Sequence, residues 1–175
     1  MNAMIPATCV AMGLLFTACG DGRADAVKKM AAVEDSIKAA SRIDLGAYHL
    51  PLAVQLPAGL PAPSVLWKDE VGKLEVRSGD HFGLQLFEAP PDMDRIKADL
   101  DRDLLKKNTL LEDTPELLIY RSEFPDDTTL VFHHFHRSIA VDGRTFQVED
   151  LRGGAPFSPE DIRRMAYAVR PAWPS

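Results

Sequence analysis

The chain has 175 residues, of which 46% are apolar and 26% charged, a composition typical of one globular domain with a proper core. Lysine and arginine total 20 against 26 aspartates and glutamates, so the net charge is −6. The absence of a basic excess argues against a nucleic-acid-binding domain and against a polybasic segment that docks on anionic membranes.

The chain begins with a stretch that has no charged side chain before Asp21 and is apolar from Val10 to Phe16. This run is too short to span a bilayer, which requires about 20 apolar residues. It ends at Leu15-Phe16-Thr17-Ala18-Cys19, where small residues precede a cysteine. In this respect the segment resembles the signal peptide and lipobox of bacterial lipoproteins.

The resemblance implies that residues 1–18 are a signal peptide and that Cys19 becomes the lipidated first residue of the mature protein. Several acyl chains, at about 0.8 kcal/mol for each buried methylene, would then tether the protein to the cell envelope. Gly20 follows Cys19, where the family's inner-membrane retention signal has an aspartate, and this favours the outer membrane. Two alternatives stay open. One is an ordinary secretory signal cleaved after Ala18-Cys19-Gly20, which gives a soluble periplasmic or secreted protein, and the other is an apolar N-terminal helix of a cytosolic protein.

Residues 19–45 are predicted to contain the lipidated cysteine and a tether helix, since Ala26, Met30, Val33, Ile37 and Ala40 recur at helical spacing. With Cys9 removed and Cys19 lipidated, the mature chain would have no free thiol and no disulfide. Thiol catalysis and a cysteine zinc site are then excluded.

Residues 46–175 are predicted to form the globular domain. Patterns of alternation or apolar runs predict strands in segments 50–56, 73–77, 81–88, 116–122, 129–141 and 144–151, with Asp142-Gly143 as a two-residue hairpin turn. A helix is expected from about Asp92 to Lys107, with its apolar stripe continuing to Leu104. A last helix is expected to begin at Ser158 as N-cap, with Pro159 in its first turn, and to end before Pro171.

This order of elements predicts an α+β domain with a mainly antiparallel sheet of about six strands and two flanking helices. Leu117-Leu118-Ile119-Tyr120 is apolar on both faces of its strand, so we expect a helix on each side of the sheet. The order is similar to that of the PsbP-like α/β/α sandwich over residues 46–170, and the Leu56-Pro57-Ala58-Gly59 step is the nearest shared motif. That fold supports unrelated functions, so the resemblance implies no activity.

The segment Phe132-His133-His134-Phe135-His136 contains three of the five histidines. If Asp142-Gly143 is the turn, His136 lies opposite Glu149, and His134 shares their face of the sheet. Two imidazoles and a carboxylate are ligands that suit zinc, iron or a similar divalent transition metal. The sequence therefore indicates a candidate metal site at His134, His136 and Glu149.

The same residues also permit simpler interpretations. Ser138, Gln147, Thr145 and Ala140 lie on the same face, which resembles a solvated surface, whereas Phe135, Ile139, Phe146 and Val148 on the opposite face resemble core. A His–Glu cross-strand pair needs no metal, and histidine clusters can also respond to pH. Because no catalytic motif is recognisable, we expect a non-catalytic binding domain without a cofactor, with the membrane and an envelope protein as partners and no nucleic acid. A metal-dependent enzyme or metal carrier is the alternative.

Overall fold

The computed structural model describes residues 41–172, in which the chain forms ten strands, two α-helices and one short 3-10 helix (Gly46–Tyr48). The strands are β1 (Arg42–Asp44), β2 (Leu52–Gln55), β3 (Ser64–Lys68), β4 (Lys73–Arg77), β5 (Gly83–Glu88), β6 (Lys107–Asp113), β7 (Leu117–Phe124), β8 (Asp127–Val141), β9 (Arg144–Asp150) and β10 (Val169–Pro171). The helices are α1 (Met93–Asp101) and α2 (Pro159–Ala168). The tether helix and Cys19 lie outside the described residues.

The strands form two antiparallel sheets. The larger has the order β3-β4-β5-β9-β8-β7-β6, and the smaller has the order β1-β2-β10. The predicted α+β class and the antiparallel sheet are confirmed, although the described residues contain ten strands in two sheets and not about six.

Each face of the large sheet is covered by one helix, as the two apolar faces of β7 predicted. Leu117 and Ile119 belong to the main core, which also includes Ile162 and Met165 of α2. Leu118 and Tyr120 point the other way and pack with Met93 of α1. Phe135, Ile139, Phe146 and Val148 lie in the main core, as expected.

Helix α2 begins and ends as its sequence indicates. Ser158 accepts a hydrogen bond from the amide of Asp161, and the Asp161 carboxylate accepts one from the amide of Ser158, which completes a capping box. At the other end, the Arg137 guanidinium of β8 donates to the carbonyls of Ala166 and Val169. These bonds satisfy donors and acceptors that a helix leaves unpaired at its termini.

The first helix is shorter than predicted. The Asp103 carboxylate accepts hydrogen bonds from the amides of Leu105 and Lys106, and the Asn108 side chain donates to the carbonyl of Leu100. These local bonds end α1 at Asp101, because side chains of this kind compete with the helical backbone pattern. Leu104, expected in the buried stripe, is therefore 96% exposed.

Candidate functional site

The predicted register of the β8–β9 hairpin is confirmed. His136 lies opposite Glu149, and Asp142 and Gly143 both adopt the positive φ that such a two-residue turn needs. The His136 Nδ1 atom is 3.3 Å from Glu149 Oε1, and the Gln85 side chain of β5 donates to Glu149 Oε2 at 2.9 Å. Burial raises the pKa of Glu149, but the hydrogen bonds and positive charge around it outweigh burial and leave that pKa below its ordinary value.

His134 contacts a different carboxylate from the one expected. Its Nδ1 atom lies 2.8 Å from Asp150 Oδ2, while Asp150 Oδ1 accepts a hydrogen bond from the amide of Phe135 at 2.9 Å. The regular pairing of β8 with β9 ends at His136 and Glu149, so the Asp150 carboxylate takes the place of the next backbone acceptor. The sequence pattern could not reveal this pairing, because it depends on where the two strands separate.

The three proposed metal ligands are therefore divided between two pairs. His136 and Glu149 contact each other, and His134 contacts Asp150. Within residues 41–172, no group of three or more His, Cys, Asp and Glu side chains is arranged to hold a metal ion.

The face expected to be solvated is largely covered. His136 and Ser138 are each 8% exposed, and Gln147 is 7% exposed. Gln147 donates hydrogen bonds to the carbonyls of Ala89 and Pro90, which precede α1. Polar residues can occupy a covered face when each has such a partner, so polarity alone did not predict exposure here.

Tyr120 and Arg152 complete the polar cluster, and the sequence analysis missed both. Tyr120 lies opposite His134 on β7, with its ring centroid 5.2 Å from that of His134 and 5.9 Å from that of His136. Arg152 donates a hydrogen bond to the Tyr120 hydroxyl at 3.1 Å. Burial raises the pKa of Tyr120 to about 12, so the phenol stays protonated at neutral pH. The β7–β8 register that places Tyr120 opposite His134 contains an irregularity at Glu123 and Phe124, so the sequence pattern did not reveal it.

His133 points to the opposite side of β8 from His134. Burial, the cross-strand Arg121 and the neighbouring His134 together hold the pKa of His133 below its ordinary value, although a hydrogen bond with the backbone of Phe157 opposes them. The Arg121 guanidinium contacts Glu123, but its buried Nε atom has no hydrogen-bond partner among the described residues.

A cleft opens where β8 continues beyond its neighbour. β8 has 15 residues and β9 has seven, and the chain after Asp150 passes through a loop before α2. A cavity of about 200 Å³ lies between this loop and the exposed end of β8. Its walls include Phe124, Phe132 and Phe157, and Lys106, His134 and Arg152 supply polar atoms.

A second cavity, of about 310 Å³, adjoins the first beneath α1. The two cavities share Lys106, His134 and Arg152, but the second also contains Asp99 and Asp103. The cleft therefore has an aromatic half with cationic side chains and a more acidic half below the helix.

The two cations of the aromatic half form no ion pair with a carboxylate in the described part of the chain, although Lys106 interacts electrostatically with Asp103 of the acidic half. Arg152 contacts the Tyr120 hydroxyl, and the Lys106 ammonium lies 5.5 Å from the centroid of the Phe124 ring. In the described part of the chain, neither has a carboxylate within ion-pair distance. The one carboxylate among the residues around this cavity, Asp150, is engaged by His134 and the amide of Phe135.

No protein-family model matches this chain, and no curated protein matches it. In residues 41–172, no helix has the length and apolar character needed to cross a membrane.

Proposed function

We propose that this protein is a lipid-anchored lipoprotein of the cell envelope, held at the outer membrane, whose folded domain acts by binding a ligand and not by catalysis. The anchor is supported by the Leu15-Phe16-Thr17-Ala18-Cys19 sequence and by Gly20 after it. A tether of this kind raises the effective concentration of the domain toward other envelope components, including a protein partner.

The observation that carries the binding role is the cleft between β8 and the loop after β9. Arg152 and Lys106 line its aromatic half without a carboxylate partner in the described chain. Pockets that combine apolar walls with a few polar groups are the usual form of small-ligand sites. Binding is favoured over catalysis because, in residues 41–172, no serine or threonine hydroxyl is hydrogen-bonded to the imidazole of His134 or His136.

The anchor is tested with the full chain expressed in a bacterium that processes lipoproteins. We expect the wild-type protein to incorporate labelled palmitate and to float with membranes in a density gradient, and Cys19→Ser to do neither. Cys9→Ser is the matched control, because Cys9 lies inside the signal peptide and should not affect either result. Equal flotation of the wild type and Cys19→Ser would overturn the anchor.

The binding role is tested by nuclear magnetic resonance on the full chain, with small aromatic probes that are anionic, neutral or cationic. At least one class should shift the amide signals of residues 151–157 and of His134 in a saturable way, since these residues surround the cleft. Signals of β3, at the far edge of the large sheet, are the internal control. If no class shifts the cleft signals at millimolar concentration, the binding role is wrong.

A metal-dependent enzyme or metal carrier that uses His134, His136 and Glu149 is the second candidate, and one observation favours it. Both imidazoles contact carboxylates through Nδ1, and neither Nε2 atom has a hydrogen-bond partner in the described chain. Metal-bound histidines commonly present their other nitrogen to a carboxylate in this way. Equilibrium dialysis with zinc should then give one ion per chain, lost in His134→Ala and kept in His49→Asn. The absence of zinc from the wild type would remove this candidate.

A further inference from the structure

The volume of the aromatic half of the cleft indicates the size of ligand that it can hold. Its volume is about 200 Å³. Sites for drug-sized ligands are commonly about 300–1,000 Å³. The space in this half suits a molecule with a single ring.

The charges in this half favour an anion. Arg152 and Lys106 enter it from the loop after β9 and from the segment after α1, respectively. The Asp150 oxygens contact His134 and the amide of Phe135, and Asp150 forms no ion pair with either cation. A guanidinium and an ammonium that form no ion pair with a carboxylate are suited to bind a carboxylate or phosphate group through charge-assisted hydrogen bonds.

The walls favour a ring attached to that acidic group. Phe132 packs parallel to His134, with ring centroids 6.4 Å apart, and meets Phe124 edge-on at 6.3 Å. Phe157 forms part of the loop side of the cavity. Aromatic side chains at these separations provide faces and edges against which another ring can pack.

We infer that the cleft binds a small aromatic anion, with its acidic group between Arg152 and Lys106 and its ring among Phe124, Phe132 and Phe157. This inference rests on the proposed binding function and specifies the ligand class. The Tyr120 hydroxyl accepts a hydrogen bond from the Arg152 guanidinium at this site.

The test uses the full chain and four probes: benzoate, benzyl alcohol, benzylamine and acetate. Benzoate should bind most tightly, with saturable shifts of the amide signals of residues 151–157. Benzyl alcohol lacks the charge, benzylamine has the opposite charge and acetate lacks the ring, so each should bind at least about tenfold more weakly.

Variants locate the anion. Arg152→Gln and Lys106→Gln should each weaken benzoate binding about tenfold, because each removes a charge-assisted hydrogen bond. Arg163→Gln on α2 and Lys68→Gln on β3 are matched controls that remove the same charges away from the cleft, and they should leave the affinity unchanged. Thermal unfolding of each variant establishes that it is folded.

The possible failures are distinct. If benzyl alcohol or benzylamine shifts the cleft signals as strongly as benzoate, the ligand class is wrong while the binding role stands. If benzoate binds but the cleft variants bind it as well as the controls do, the placement of the acidic group is wrong. If no probe shifts the cleft signals, both the inference and the proposed binding function are wrong.

Discussion

The Asp150 side chain is only 2% exposed and contacts two adjacent residues of β8, His134 and Phe135. One of its oxygens accepts the amide of Phe135, and the other contacts the imidazole of His134. Buried polar groups of this kind are important mainly because removal of one partner leaves the other unpaired. The carboxylate therefore both continues the hydrogen bonding of the sheet and holds one wall of the cleft.

Asp150→Ala should lower the free energy of unfolding by about 1–3 kcal/mol, because the buried amide of Phe135 loses its acceptor. Asp150→Asn keeps an acceptor of the same shape and should lower it less. Urea denaturation of both variants at neutral pH checks this expectation. Equal losses would mean that the charge of Asp150, and not its acceptor, is the important property.

His133 should make the domain less stable in mild acid. Its pKa in the folded protein lies below its ordinary value of 6.5, so the unfolded chain binds more protons as the pH falls. The stabilisation is complete above the unfolded pKa and is lost as the pH falls toward and below the lower, folded value. The free energy of unfolding of the wild type should thus decrease from pH 7 to about pH 5. That of His133→Gln should decrease less over the same range.

Urea denaturation at a series of pH values measures this dependence. His49→Asn is the matched control, because His49 is exposed and has a positive φ that asparagine tolerates. The expectation is contradicted if His133→Gln and the wild type have the same pH dependence over that range. Glu149 and Asp161, whose pKa values are also lowered, lose their stabilisation at more acidic pH and do not interfere.

At the scale of elements, the capping box of α2 should contribute measurably to the free energy of unfolding. Ser158→Ala removes the acceptor for the amide of Asp161 and should lower the free energy of unfolding by about 1 kcal/mol. Ser158→Thr keeps the hydroxyl and serves as the matched control. Thermal unfolding of both variants provides the measurement, and an unchanged midpoint in Ser158→Ala would show that the cap is dispensable.

The elements that the sequence predicted correctly are those with a local signal. The β8–β9 hairpin has its Asp142-Gly143 turn and alternating side chains, and α2 has Ser158 and Pro159 at its start. β3 and β6 were missed because they are the edge strands of the large sheet. Their residues are mostly exposed, so backbone hydrogen bonds to one neighbour hold them and no apolar alternation marks them.

In the candidate site, too, the sequence predicted only the features that have a local signal. The register that brings His136 to Glu149 follows from the turn and could be predicted. The pairing of His134 with Asp150, and the entry of Lys106 and Arg152 into one cleft, depend on where β9 ends and where α1 ends. Both endpoints depend on a few side-chain hydrogen bonds, which a pattern of polar and apolar residues does not encode.

At the scale of the whole molecule, one core joins the two sheets and α2. Phe135 is fully buried in this core with Val54 of the small sheet and Met165 of the helix. Phe135→Ala should lower the free energy of unfolding by about 3–5 kcal/mol, because it removes apolar contacts and leaves a cavity. That is a large share of the roughly 5–15 kcal/mol that stabilises a typical domain.

Urea denaturation followed by both circular dichroism and tryptophan fluorescence tests whether this core is shared. In Phe135→Ala the urea midpoints of the two signals should fall together. Phe87 is half-buried, so Phe87→Ala should lower both midpoints less. A separate transition in only one signal would mean that the sheets unfold independently.

The small sheet also imposes an order on folding. Its central strand, β2, pairs on one side with β1, which is close by in the chain. Its other partner is β10, so Val54 of β2 pairs with Val169, more than 100 residues later in the chain. Contacts between such distant segments form late, because the intervening chain must first lose its conformational freedom. A polypeptide that is supplied from its N-terminus cannot close this sheet until β10 is also free to pair with β2. Any process that supplies the chain in order thus completes the small sheet only after every strand of the large sheet is present.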